Sequence, residues 1–185
     1  MKNVLIVILV LVVLLAVLGV GQYNGLVSSS EEVTEQLANL DSQYQRRLDL
    51  IPNLVKTVKA FTEHETAIIT QITEARAAML GANTIAEKDA ADAQLTAAID
   101  ALVVMVENYP ELKSNETYLS LMDELAGTEN RIAVARNDYN SVVKSYNLKV
   151  KRFPTSIFAG IFGYEQAEYF QAAPGAEQGV EVDFG

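Results

Sequence analysis

The 185-residue sequence contains no cysteine. Disulfide frameworks, thiolate zinc sites and thiol nucleophiles are therefore excluded, and oxidation chemistry says nothing about the redox compartment. With one histidine, His64, the chain cannot build a multi-histidine metal centre by itself. Basic residues are scarce: 14 Lys and Arg stand against 24 Asp and Glu, giving a formal charge of −10. All the acidic residues and all but one of the basic ones lie beyond the first twenty-two positions. Such a surface repels phosphate backbones, because nucleic-acid affinity depends on Lys and Arg neutralising phosphates, so nucleic acid is not an expected partner.

What is abundant is aliphatic. From Val4 to Val20 every residue is Val, Leu, Ile, Ala or Gly. Seventeen residues at about 1.5 Å each make roughly 26 Å, just short of a hydrocarbon core of about 30 Å. Lys2 can snorkel to one interface and Tyr23 suits the other, which makes up the length. A cleaved signal peptide is the rival reading. Its apolar stretch would run about 7 to 15 residues, and Gly19-Val20-Gly21 is a poor match to a small-residue cleavage site, so a retained anchor is expected. Lys2 and the amino end are the only local cations, and the next basic residue is Arg46. The N-terminus is therefore expected to face the cytoplasm, with the remainder of a single-pass protein outside the bacterial cell membrane.

Beyond the anchor, apolar residues recur at spacings of three and four. Leu26, Val33, Leu37, Leu40, Tyr44, Leu48 and Ile51 form one series, and Leu54, Val58, Phe61, Ile69, Ile72 and Met79 a second that stops at Gly81. Thr84-Ile85-Ala86-Glu87 has the capping-box spacing, in which the threonine oxygen and the glutamate carboxylate each satisfy a free backbone N–H. Leu95, Ile99, Leu102 and Val106 follow, up to Pro110. After Ser114 as N-cap, a fourth series runs from Tyr118 through Leu125, Ile132, Tyr139, Val142 and Tyr146 to Val150, stopping at Phe153-Pro154. Pro52 leaves two possibilities, one kinked helix of about 55 residues or a break. The break is preferred, because four segments of roughly 24 to 36 residues with short loops close an up-and-down antiparallel four-helix bundle. The expected organisation is an all-α chain: a transmembrane anchor over 1–22, a helical bundle over 23–153, a short amphipathic, aromatic-rich helical segment over 154–170 and a tail over 171–185.

Charged residues fall on or beside the seam. Glu65 lies between Phe61 and Ile68, and Glu129 and Arg136 lie between Leu125 and Tyr139. A paired-carboxylate hydrolase site closed by Arg46 or Arg47 is one reading. A salt-bridged layer that fixes helix register is preferred, since a buried charge must be paired and a narrow bundle offers no cleft. His64-Glu65 begins like a zinc-protease motif, but Ile68 stands where the second histidine belongs. The helical Glu-x-x-His signature of di-metal bundles is absent as well. No catalytic residue, metal ligand or cofactor site is assigned.

The stretch Gln45-Arg46-Arg47-Leu48-Asp49-Leu50-Ile51-Pro52-Asn53-Leu54-Val55-Lys56 closely resembles the most recognisable segment of the LemA family. Tyr23-Asn24-Gly25-Leu26-Val27, Glu74-Ala75-Arg76, Glu107-Asn108-Tyr109-Pro110, Gly127-Thr128-Glu129-Asn130-Arg131-Ile132, Ala135-Arg136-Asn137-Asp138-Tyr139-Asn140, Tyr146-Asn147 and Phe153-Pro154 extend the match, in order, over nearly the whole chain. The resemblance implies a bacterial membrane protein with an N-terminal anchor, a helical bundle and no established enzymatic activity. It also implies that Arg46, Arg47, Asp49, Asn53 and Glu129 form a polar cluster where helices meet, which Glu65 and Arg136 could join.

Near the C-terminus Ile157, Phe158, Ile161 and Phe162 form one helical stripe behind Lys149, Lys151 and Arg152. It could lie on the bilayer surface beside the anchor or cover the open end of the bundle, and the cover is preferred. Val180, Val182 and Phe184 alternate as a strand would. The expected function is a non-enzymatic, membrane-anchored scaffold or adaptor that binds a membrane-protein partner. A self-assembling structural protein forming homo-oligomers or fibres is the alternative, and a carboxylate hydrolase comes last.

Overall fold

The structure is a computed structural model that describes residues 2–62 and 64–171; within these, the side chains of Leu11, Val12 and Leu15 are not described. Among the described residues there are six helices and no strand: α1 (Lys2–Lys59), α2 (Thr66–Gly81), α3 (Ile85–Val106), α4 (Pro110–Lys113), α5 (Glu116–Lys151) and α6 (Thr155–Phe162). The all-α expectation holds. The alternating tail residues Val180, Val182 and Phe184 lie outside the described residues.

The apolar run is the first part of α1, with most of its described side chains exposed, and is not a separate helix. Among the described residues no helix is long and apolar enough to cross a membrane. The expected transmembrane span is therefore not marked out as an element of its own.

The chain folds as two compact units, Met1–Ser42 with Val134–Glu168, and Gln43–Ala133 with Tyr169–Gly185. The second unit holds the helical bundle, built from the end of α1, all of α2 and α3, and the start of α5. Its core is the seam read from the sequence: Leu48, Ile51, Leu54 and Val58 of α1, Ile72 and Met79 of α2, Leu95, Leu102 and Val106 of α3, and Tyr118, Leu125 and Ile132 of α5 are buried. Each such aliphatic side chain contributes about 1.5–3 kcal/mol by leaving water. Short connections make consecutive helices antiparallel. Leu48 and Arg76, on either side of the α1–α2 turn, meet across 28 residues of chain.

The expected break at Pro52 does not occur. Pro52 lies inside α1, which ends only at Lys59, and the turn falls at Ala60–Glu65, within the segment expected to be the second helix. Proline at position 52 removes the N–H that would bond the carbonyl of Leu48, one turn back. Arg76 of α2 supplies the missing donor: its Nε donates to Leu48 O at 3.2 Å. The backbone group that proline orphans is thus satisfied from a neighbouring helix, and α1 continues.

The remaining boundaries follow local chemistry. At the start of α3 the capping box is present: Glu87 N–H donates to Thr84 Oγ1 at 3.2 Å, and Thr84 N–H donates to Glu87 Oε2 at 3.0 Å. α3 ends at Val106, before Pro110, which opens α4. Ser114 does not cap α5. Tyr118 N–H donates instead to Asn115 Oδ1 at 3.0 Å, and the Ser114 hydroxyl bonds back to Pro110 O. Gly81 is the last residue of α2 and not a left-handed stop.

The first unit pairs the start of α1 with the end of α5, running in opposite directions: Ser29 meets Lys149, while Gln22, earlier in the chain, meets Thr155, later in it. Leu26, Leu40, Tyr139, Val143 and Tyr146 form its core. α6 ends on Gly163, whose φ of 74° is left-handed and natural only for glycine, while Tyr164 N–H closes the turn on Ala159 O. The chain then runs without regular structure through residues 164–171.

Candidate functional site

Two arrangements hold the residues singled out in the sequence, one in each unit. In the bundle, Arg47 projects inward from the α1 seam with its side chain 4% exposed. Its Nη1 lies 2.7 Å from Asp92 Oδ1 of α3 and 2.6 Å from Glu129 Oε2 of α5, and its Nη2 donates to Thr96 Oγ1 at 3.0 Å. The Asp92 side chain is as deeply buried as Arg47, whereas Glu129 is 47% exposed. One permanent cation therefore sits between two carboxylates and ties three helices together. A guanidinium suits this role because its planar fork offers several donors in fixed directions. Two atoms of the cluster have no hydrogen bond, Arg47 Nε and Glu129 Oε2, the latter held by charge alone.

Of the expected cluster, then, Arg47 and Glu129 come together. Arg46, Asp49 and Asn53 are exposed on α1, where Asp49 accepts from Gln45 Nε2 at 2.7 Å and the Asn53 carbonyl accepts from Thr57 Oγ1 at 2.9 Å. Glu65 stands in the α1–α2 turn and accepts from Tyr109 OH at 2.8 Å. Hydrogen bonding to that carboxylate, with some burial, holds the Tyr109 phenol above its ordinary pKa. Arg136 is half-buried in the other unit. The residue missed by sequence reasoning is Asp92. Its signal was present, three positions before Leu95 and seven before Ile99, on the seam itself. Among the described residues no group of three His, Asp or Glu side chains is placed to hold a metal ion.

In the first unit the aromatic stripe meets the side of α1. The Phe158 ring lies against Gly19, where an added Cβ would stand 3.1 Å from Phe158 Cε1. Phe162 packs edge-on against Tyr23 with ring centroids 4.9 Å apart. Ile157 and Ile161 remain 54% and 68% exposed. Within this unit the stripe is thus docked beside the apolar run, through Phe158 on Gly19 and Phe162 on Tyr23.

Behind α6 the chain is strapped onto α5 by side chains standing in for a partner strand. Asn147 Nδ2 donates to Ala167 O at 2.9 Å while Ala167 N–H donates to Asn147 Oδ1 at 2.8 Å. Tyr146 OH and Tyr139 OH donate to the carbonyls of Glu165 and Glu168 at 2.7 and 3.0 Å. Burial pushes both phenols above their ordinary pKa, with nearby acidic groups adding to the effect.

Comparison with known proteins follows the same residues. The chain is 29% identical over 182 residues to magnetosome protein MamQ 2 of Paramagnetospirillum magneticum, covering 84% of this chain and 67% of that protein. Magnetosome protein MamQ of Magnetospirillum gryphiswaldense is 27% identical with the same coverage. Protein LemA of Metamycoplasma hominis is 25% identical over 158 residues, covering 83% of this chain and 71% of that protein. The model of the LemA family matches residues 36–184, which takes in the Arg47 cluster, α6 and the Asn147 strap, and the chain belongs to the LemA family.

Proposed function

We propose that this protein is a membrane-anchored, non-enzymatic scaffold that presents its helical bundle to a membrane-protein partner, with Val4–Val20 as the anchor. The observation that carries the reading is the exposure of that run: among the described side chains, Val4–Val10, Val13, Leu14, Val17, Leu18 and Val20 are each half or more exposed. So large an apolar surface calls for lipid or protein cover. In the bundle, the two carboxylates considered for hydrolysis are each engaged elsewhere, Glu129 with Arg47 and Glu65 with Tyr109, an arrangement that favours a register-fixing role over chemistry. The bundle lies outside the cell in this reading, on the strength of Lys2.

The exposed Ile157 and Ile161 favour one second reading, self-assembly through the stripe into homo-oligomers. The test is the mass of the full chain in mild detergent, together with its partition between membrane and soluble fractions. A V10R/V13R variant should move from the membrane fraction to the soluble one; unchanged membrane association would sink the anchor. A small particle carrying a second protein in fixed ratio supports the scaffold, whereas a large particle of this chain alone supports self-assembly. Because the chain has no cysteine, one introduced at the exposed Val104 is a unique label. Its reaction with an impermeant maleimide on intact cells places the bundle outside, and protection until lysis places it inside.

A further inference from the structure

The end of α5 carries a feature that the scaffold reading does not use. Where it passes the start of α1, a groove of about 460 Å³ opens, lined among others by Gln22, Gly25, Ser145, Lys149, Arg152 and Thr155. Two cations and no carboxylate line it, in a chain whose formal charge is −10. Lys149 lies in the last turn of α5 and Arg152 just past it, three residues on, where Arg152 N–H still donates to Leu148 O at 3.0 Å, so the two side chains leave on one face. Lys149 Nζ is steadied by the hydroxyl of Ser29. Thr155 Oγ1 donates to Gln22 Oε1 at 2.7 Å, so the Gln22 carboxamide is oriented by its oxygen. Among the described residues neither the Gln22 amide nitrogen nor the Arg152 guanidinium has a hydrogen-bond partner. Gly25 provides room, with no atom within 4 Å of the position its Cβ would take.

The level of the groove along α1 identifies its occupant. Gln22 and Gly25 lie two and five residues past Val20, roughly 3 and 8 Å along the helix axis. A headgroup layer extends about 5–7 Å beyond the hydrocarbon on each side. Beside the groove, α6 turns Ile157 and Ile161 outward while Phe158 sits on Gly19, inside the apolar run. That arrangement fits a helix lying in the interface with its apolar side chains at the acyl boundary. We infer that the groove between the start of α1 and the end of α5 is a binding site for the phosphate headgroup of an anionic glycerophospholipid, with Lys149 and Arg152 as its charge partners and Gln22 as a neutral donor. The site rests on the anchoring proposed above. Anionic lipid is favoured over zwitterionic because the paired cations meet no competing ammonium, and over free phosphate because the apolar face of α6 adjoins the groove.

The test uses the full chain, floated with vesicles of phosphatidylcholine alone or mixed with phosphatidylglycerol, followed by native mass spectrometry of the lipids it retains from detergent. Retained lipid should be enriched in phosphatidylglycerol. K149Q and R152Q should each reduce that enrichment about fivefold, the value of one charge near a membrane surface. G25L should abolish it by filling the groove, with the melting temperature unchanged. K151Q removes an exposed cation that does not line the groove and should leave the enrichment intact; a loss equal to that of R152Q means diffuse attraction and overturns the site. Equal retention of both lipids by the parent protein also overturns it, and so does displacement of retained lipid by millimolar inorganic phosphate, which would make this a free-anion site. If the chain does not float even with phosphatidylcholine, the anchor fails and the site with it; flotation without lipid preference removes the site alone.

Discussion

Arg76 donates its Nε–H to the carbonyl of Leu48 at 3.2 Å, the group that Pro52 leaves without an intrahelical donor. A proline in a helix interior costs about 3 kcal/mol, partly through that lost bond. Here the neighbouring helix returns the bond, so the α1–α2 contact and the continuity of α1 are one feature. R76M should cost about 1–3 kcal/mol, the penalty for an unsatisfied buried carbonyl, and close to nothing in a P52A background where the backbone N–H is restored. Urea unfolding of the four proteins of this cycle measures the coupling. Equal costs of R76M in both backgrounds would show that the bond does not compensate the proline.

The Arg47 cluster makes a different prediction. D92A leaves a buried guanidinium with the half-exposed Glu129 as its remaining carboxylate and Thr96 as a neutral acceptor, and should destabilise by about 3–5 kcal/mol. An R47M/D92L double variant should recover most of that loss, because two apolar side chains of similar volume carry no desolvation cost. E129Q should cost no more than about 1 kcal/mol, since solvent screens its pairing. A double variant as unstable as D92A would mean that the charges do more than fix register.

The α3 cap carries a pH signature. Backbone N–H donors from Asn83 and Thr84, and the Thr84 hydroxyl, hold the Glu87 carboxyl below its ordinary pKa. A lowered folded-state pKa contributes stability above the unfolded carboxylate value, lost as pH falls through the folded one. E87Q should therefore melt earlier than the parent at neutral pH and together with it in acid. T84A should cost about 1 kcal/mol at neutral pH. A parent–E87Q difference that persists in acid would rule out the carboxylate as its source.

The strap behind α6 should respond at the opposite end of the pH scale. Tyr139 and Tyr146 donate only while protonated, and their raised pKa values give stability that is full below the ordinary tyrosine value of about 10 and lost as pH rises through the folded values. N147A removes both amide bonds to Ala167 and should raise hydrogen exchange at the Ala167 N–H at least tenfold, leaving the α3 amides unchanged. Unchanged exchange at Ala167 would mean that the tyrosines hold the strap without it.

These sites differ in how far the sequence disclosed them. The Thr84 cap was legible because its donors and acceptors lie within four residues. Glu129 could be placed beside the seam and Arg47 came with the family resemblance, but Asp92 became their partner only through the packing of α3. The stripe of α6 was visible as a stripe, whereas Gly19 as its seat was not, because a close approach between helices leaves no periodic mark.

Composition and periodicity by themselves determined that this chain is helical, that its N-terminal run is apolar on every side, that cysteine and multi-histidine chemistry are absent, and where α3 begins. These properties depend on residue type and on neighbours a few positions apart. Tertiary structure alone decided that α1 passes through Pro52, that Arg47 lies between Asp92 and Glu129, that α6 docks on Gly19, and that Lys149 and Arg152 open onto a groove beside α1. Each depends on groups brought together from distant parts of the chain, where an acceptor orphaned in one helix is answered by a donor from another.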